Sequence, residues 1–247
     1  MRLKRFRIVQ GETRLLVQSE SDVTDSIRGA VARARSRLKA HIQEYPDFKW
    51  SLEPLATPPM DIPGFVREMY AAGRRTGTGP FSSVAGALAS EAARAAVAAG
   101  AASVLVENGG DICLYGNSAY RVAIHAGSST LSDNIGLKVC PGRRFAGVCT
   151  SSSELGESLS FGEANAVVVH SPASAITADA AATAVCNQVR GERAIDAGLG
   201  AARSIGGIGV MIVRGEEMAA WGNLPEIIRV SGGPDITLDP GLHSRAG

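Results

Sequence analysis

The chain has 247 residues, 45% apolar and 20% charged, with a net charge of +1 and no apolar run approaching a bilayer span of ~20 residues. That balance excludes a membrane-spanning helix and a polybasic nucleic-acid binder, and the length allows one large domain or two interlocked halves. Cys113, Cys140, Cys149 and Cys186 lack metal-ligand spacing and the N-terminus lacks a signal-peptide core, so reduced thiols in a cytoplasmic protein are expected.

Lys4–Val9 and Thr13–Gln18 alternate apolar and polar residues around Gly11, the pattern of a hairpin. Ser21 and Asp22 offer an N-cap for a helix from about Val23 to His41. Its Val23, Ile27, Val31, Ala34 and Leu38 recur at helical spacing, opposite a solvated face of Arg28, Arg33, Arg35 and Lys39. Tyr45–Met60 holds four prolines and reads as an ordered loop or a strand with a long exit. Pro63 opens a second helix ending near Gly73. Arg74–Pro80 is a Gly-rich turn into a helix from about Phe81 to Ala99, closed by Gly100.

Ala102–Glu107 and Asp111–Tyr115 read as strands joined by the turn Asn108-Gly109-Gly110. Tyr120–His125, Leu137–Val139, Phe145–Thr150 and Ala164–His170 follow as further strands. After a helix at Ser174–Asn187 come a helical turn or two at Glu192–Leu199, a hairpin of Ile208–Val213 and Glu217–Trp221, and a strand at Glu226–Val230. Residues 1–230 form a single domain on this reading, and the Gly/Pro-rich 231–247 is a mobile tail. Strands cluster and helices cluster, so the fold class is α+β, with antiparallel sheets, packed helices and two similar interlocked halves that can be drawn.

The stretch S-A-I-T-A-D-A-A-A-T-A-V-C-N carries in its interior Asp179 and Thr183, four residues apart and therefore on one helix face. A carboxylate above a hydroxyl suits a hard cation such as Mg²⁺ that keeps positions open for substrate phosphates. The same residues also fit a packing helix whose Asp caps its first turn and whose Thr bonds back to the preceding turn. Gly77-Thr78-Gly79 precedes a helix start whose free N–H groups can hold phosphate, with Arg74 or Arg75 adding charge, although it is not a Walker loop. Thr150-Ser151-Ser152 lacks a nucleophile elbow, so its hydroxyls are assigned to phosphate or ribose. Glu107 and Asp111 flank the Gly109-Gly110 turn, either as an acid–base pair or simply as residues fixing hairpin register.

Three strings stand in order: G-T-G-P-F-S-S-V-A-G, E-N-G-G-D-I and A-D-A-A-A-T-A. Together they resemble the ApbE family of flavin transferases, and with C-T-S-S and S-L-S-F-G they are similar to a prokaryotic ApbE-like branch. The resemblance implies that Asp179 and Thr183 are Mg²⁺ ligands and that Asp111 lies in the cleft for FAD. Gly77, Thr78, Gly79, Gly109, Gly110, Thr150, Ser151, Ser152, Ser158 and Ser160 would line that cleft, and Glu157 is the best available base. The segment G-E-S-L-S-F-G-E-A-N departs from the family's H-x-x-D-P-x-T-G, having neither His nor Asp-Pro. Two readings follow: a Mg²⁺-dependent protein that cleaves or transfers from FAD or another small-molecule nucleotide, and a non-catalytic flavin- or nucleotide-binding protein. No nucleic acid or membrane partner is expected, and the small-residue helices leave room for a homo-oligomer.

Overall fold

Two stretches of the chain each fold as hairpin, helices, hairpin, and together they make one continuous sheet. The computed structural model describes residues 3–56, 61–153, 162–230 and 236–238. The first stretch runs through β1 (Lys4–Gln10), β2 (Thr13–Ser19), α1 (Thr24–Glu44), α2 (Asp47–Trp50), α3 (Gly64–Thr76), α4 (Val84–Ala98), β3 (Val104–Asn108) and β4 (Asp111–Gly116). The second comprises β7 (Gly142–Ser151), β8 (Ala166–Ser171), α5 (Ala175–Gln188), α6 (Ala194–Ile205), β9 (Gly209–Arg214) and β10 (Glu217–Gly222). Between and after them lie β5 (Tyr120–Ile124), β6 (Ile135–Val139), β11 (Glu226–Arg229) and β12 (Ile236–Leu238).

Among the described residues, the large sheet has the order β1-β2-β3-β4-β7-β8-β9-β10 and is antiparallel throughout. A smaller sheet, β11-β6-β5-β12, is antiparallel except for the parallel β12–β5 pair. The expected α+β class with antiparallel sheets and packed helices is the observed one, and the two halves that can be drawn share one strand order. Inward residues alternate along each strand. Val104 and Val106 join a core with the helices, whereas Leu105 joins a second core containing Val122 and Leu137 of the small sheet. Burial on both faces is why β3 opens with the unbroken apolar run Val104-Leu105-Val106.

Helix α5 is the element around which this packing closes, since Ala178, Asp179, Ala181, Ala182 and Val185 are all buried within it. Alanine buries little area per residue, so cohesion here depends on backbone proximity. Glycines supply it: a Cβ at Gly86 of α4 would lie 2.6 Å from the Ala175 carbonyl oxygen, and one at Gly147 of β7 would strike Ala175 itself.

Several boundaries differ from expectation. Asp47–Trp50 forms a short helix within the stretch read as loop or strand, burying Phe48 in a cluster with Tyr70 and His41. Pro63 is the residue before α3 and has extended ψ, and α3 continues past Gly73 to Thr76 because the left-handed residue that stops it is Gly77, φ +75°. A short 3₁₀ turn, Pro80–Ser83, precedes α4. Helix α6 runs three turns to Ile205, longer than Glu192–Leu199 suggested, and Ile236–Leu238 is a strand within the segment read as a mobile tail.

Candidate functional site

Ser174 caps α5, its hydroxyl oxygen accepting from the amides of Ile176 (3.2 Å) and Thr177 (3.4 Å). Asp179 is therefore not the cap of its own helix. Its Oδ2 instead accepts from the amide of Gly86 at 2.8 Å, and the Ala85 amide adds a second hydrogen bond, so this carboxylate caps the first turn of α4. The Asn108 side-chain amide donates to the Ala85 carbonyl (3.1 Å), tying the β3–β4 turn to the same place.

Asp111 begins β4 and lies directly opposite Cys149 of β7, so both side chains point to the helix side of the sheet. The Cys149 thiol interacts with the Asp111 carboxylate and lies 3.4 Å from the Ala175 carbonyl at the start of α5. Oδ1 of Asp111 is buried without a partner, and so is the hydroxyl of Ser151, two residues beyond Cys149 on the same face. The Thr150 hydroxyl is likewise buried and unpartnered, on the opposite face beside Val168.

Burial and mutual repulsion dominate the electrostatics. Burial first, then the charges of Asp179 and Glu107, hold Asp111 well above the usual carboxylate range, against the Cys149 thiol and the Thr150 amide. Burial pushes Asp179 up to about 7, opposed by the Gly86 and Ala85 amides. Burial, then both carboxylates, also push the Cys149 thiol up. No cationic side chain among the described residues offsets either acid. Two buried like charges without a counter-charge must share a proton or take up a cation.

The donor set suits a hard divalent ion. Among the described residues, no group of three or more His, Cys, Asp or Glu forms a closed metal cage. What is present is two carboxylates with hydroxyls nearby, the arrangement in which Mg²⁺ retains water and substrate phosphates as remaining ligands. Thr183 is half-buried on α5, one turn beyond Asp179.

The other expected residues divide. Gly109 and Gly110 form the β3–β4 turn with φ of +66° and +94°, a type I′ hairpin geometry, and the Gly110 amide donates to Glu107 Oε1 at 2.8 Å. Glu107 is thus a turn-fixing residue on the other face of the sheet from Asp111. Thr150, Ser151 and Ser152 are buried at the end of β7. Glu157, Ser158 and Ser160 lie outside the described residues.

The glycine-rich start is corrected by its hydrogen bonds. The amides of Gly77 and Thr78 donate to the Gly73 carbonyl (2.8 and 3.0 Å) and that of Gly79 donates to Leu52 (2.9 Å), so they are not free for phosphate. The Thr78 hydroxyl is engaged with those of Thr76 and Ser82. Arg75 donates to the Gly206 carbonyl (2.7 Å) at the end of α6, which accounts for its charge. His170 contacts the Asn223 carbonyl at 2.8 Å through Nδ1, a structural contact. Sequence reasoning missed Cys149 as a neighbour of Asp111 and Ser174 as the cap. The latter had a signal, a serine immediately ahead of an apolar helical run.

A family described as AbpE bacteria matches residues 1–205. The chain belongs to this ApbE-like family. A UPF0280 protein of Methanosarcina acetivorans is 38% identical to it over 207 residues, covering 83% of this chain and 81% of the relative. Another, from Methanoculleus marisnigri, is 38% identical over 226 residues, covering 91% and 90%. The apo flavinyl transferase ApbE of Pseudomonas stutzeri superposes with a TM-score of 0.59 at 17% identity, over 89% of this chain and 94% of that one. At that identity the likeness establishes a shared fold.

Proposed function

We propose that this ApbE-like protein binds a pyrophosphate-containing nucleotide, FAD first, together with Mg²⁺, and cleaves it or transfers from it. The observation that carries this reading is the buried Asp111–Asp179 pair, which lacks any basic partner among the described residues and leaves Asp111 Oδ1 unsatisfied. Asp111, Asp179 and Thr183 would hold the cation, which supplies charge neutralisation to the phosphates. The α4 amides orient Asp179, and the Cys149 thiol orients Asp111. The Ser151 hydroxyl donates to phosphate or ribose oxygens, Thr150 being set aside because it points to the other face of the sheet, and Glu157, in the segment after β7, serves as base. The expectation of a cytoplasmic protein is kept as part of this reading, and no helix among the described residues is long and apolar enough to cross a membrane.

A second reading keeps the binding and drops the chemistry. Its motivation is the segment between β7 and β8, which has neither the His nor the Asp-Pro of the flavin transferases. Incubation with FAD and Mg²⁺, with FMN and AMP release followed by chromatography, separates the two. Turnover supports the enzyme, Mg²⁺-dependent binding without turnover supports the binding protein, and no binding of FAD, NAD or related dinucleotides rejects both. Mg²⁺ titrations of melting temperature test the cation itself: Asp179→Asn abolishes the response and Thr183→Val weakens it. An unchanged response in both variants ends the metal-site reading.

A further inference from the structure

We propose that Cys149 is a positioning residue that makes the candidate cation site selective for Mg²⁺ over Ca²⁺, by holding Asp111 so that it offers an ion one oxygen and not two. This role presupposes the cation bound between Asp111 and Asp179, and concerns which ion fits there. Each of the two acids already makes hydrogen bonds within the protein. Oδ2 of Asp179 accepts from the Gly86 amide at 2.8 Å. The Asp111 carboxylate is engaged by the Cys149 thiol and the Thr150 amide, and its Oδ1 has no partner. One-oxygen binding suits Mg²⁺, which holds a tight octahedron at about 2.1 Å and keeps several waters. Ca²⁺ gathers more oxygens at about 2.4 Å and takes carboxylates by both oxygens more readily.

The frame around the two acids is stiff. Ala175, the first residue of α5, is where β7, α4 and α5 meet. A Cβ at Gly86 would lie 2.6 Å from its carbonyl oxygen, and one at Gly147 would strike its Cα. Cys149 lies two residues beyond Gly147 on the same face of β7 and is fully buried, with Sγ 3.4 Å from that same carbonyl oxygen. The thiol therefore sits between the strand pair that carries Asp111 and the helix that carries Asp179. The acids cannot part to admit a larger ion without displacing it. Without the thiol, Asp111 is free to turn and close on an ion with both oxygens. Hydrogen bonds that orient a metal-binding carboxylate in this way are commonly worth about 10–100-fold in metal affinity.

Thermal titrations of the nucleotide-free full chain with MgCl₂ and with CaCl₂ test this, the readout being the ratio of the two apparent affinities. The parent is expected to favour Mg²⁺ by at least about tenfold. Cys149→Ala, and Cys149→Val, which keeps the apolar packing, both lack a donor and bring the ratio within about threefold, chiefly by weakening Mg²⁺. Cys149→Ser keeps a donor and preserves the preference. A general packing loss lowers the melting temperature without moving the ratio. A parent that responds equally to the two ions, a donorless variant that keeps the parent's ratio, or a preference lost equally in Cys149→Ser overturns the role of Cys149 and leaves the cation reading standing. A parent that responds to neither ion removes both.

Discussion

The two halves of the sheet share one topology, and their second hairpins meet opposite fates. In the first half, the β3–β4 turn is Gly109-Gly110, and the residue after it, Asp111, is buried against β7 and the helices. In the second half, the β9–β10 turn is Gly215-Glu216, and the residue after it, Glu217, stands exposed on an edge strand. Both positions hold an acid. Burial at the seam between halves changes one of them from an ordinary surface carboxylate into a group that needs a proton or a cation. The candidate chemistry therefore belongs to the junction and not to the hairpin.

The seam breaks most severely at its glycines. Gly86→Val places a side chain against the Ala175 carbonyl and Asp179 Cβ, separating α4 from α5, and is expected to cost about 3 kcal/mol or more by urea denaturation. Gly215→Val, at the second hairpin, meets open space and pays only the strain of its φ of +60°.

An effect of similar size comes from pH. Asp179 has a folded pKa of about 7 against an ordinary 3.8, so between those values the folded chain holds a proton that the unfolded chain has released. Metal-free stability therefore falls as pH rises from about 4 to 7 and levels off above, by an amount on the order of 4 kcal/mol. Melting temperatures across that range should show the decline. Mg²⁺ should reverse it most strongly at the alkaline end, where it competes with no proton. Asp179→Asn should reduce the slope of the profile, leaving the share of buried Asp111, while still capping α4, because the amide oxygen accepts as the carboxylate does. A profile with the parent's slope in that variant would assign the pH dependence to another group.

The smallest effect is the control. Glu217→Gln removes the corresponding acid of the second half and should change the thermal stability of the chain by no more than about 0.5 kcal/mol, without altering its response to Mg²⁺.

Local signals announced most of this architecture. Two-residue alternation marked the first outer hairpin, helical spacing marked α1, and the Asn108-Gly109-Gly110 turn marked the β3–β4 hairpin. Asp179 and Thr183 could be placed on one helix face from spacing alone. The four-residue helix at Asp47–Trp50 is too short for any period to show, and Phe48 forms it by burying its ring. Long-range pairing was beyond reach for a different reason. Cys149 faces Asp111 only because β4 and β7 are neighbours, and β5 and β6 separate them in the chain. Likewise, a carboxylate that caps a distant helix leaves no local pattern, so Asp179 resembled either a metal ligand or its own helix's cap. The glycine-rich turn misled because its amides are consumed by the end of α3 and by Leu52.

That distant cap also sets an order of events during synthesis. The Gly86 amide and its acceptor on Asp179 are 93 positions apart. A nascent chain therefore exposes α4 with its first amides unsatisfied while the remaining strands and α5 are still being made. Closing so long a loop is an entropic burden borne late, which slows collapse and prolongs the lifetime of a half-built sheet with β4 as a bare edge. The first half therefore lacks the acceptor for its own helix start until Asp179 reaches Gly86 and ties the two halves together.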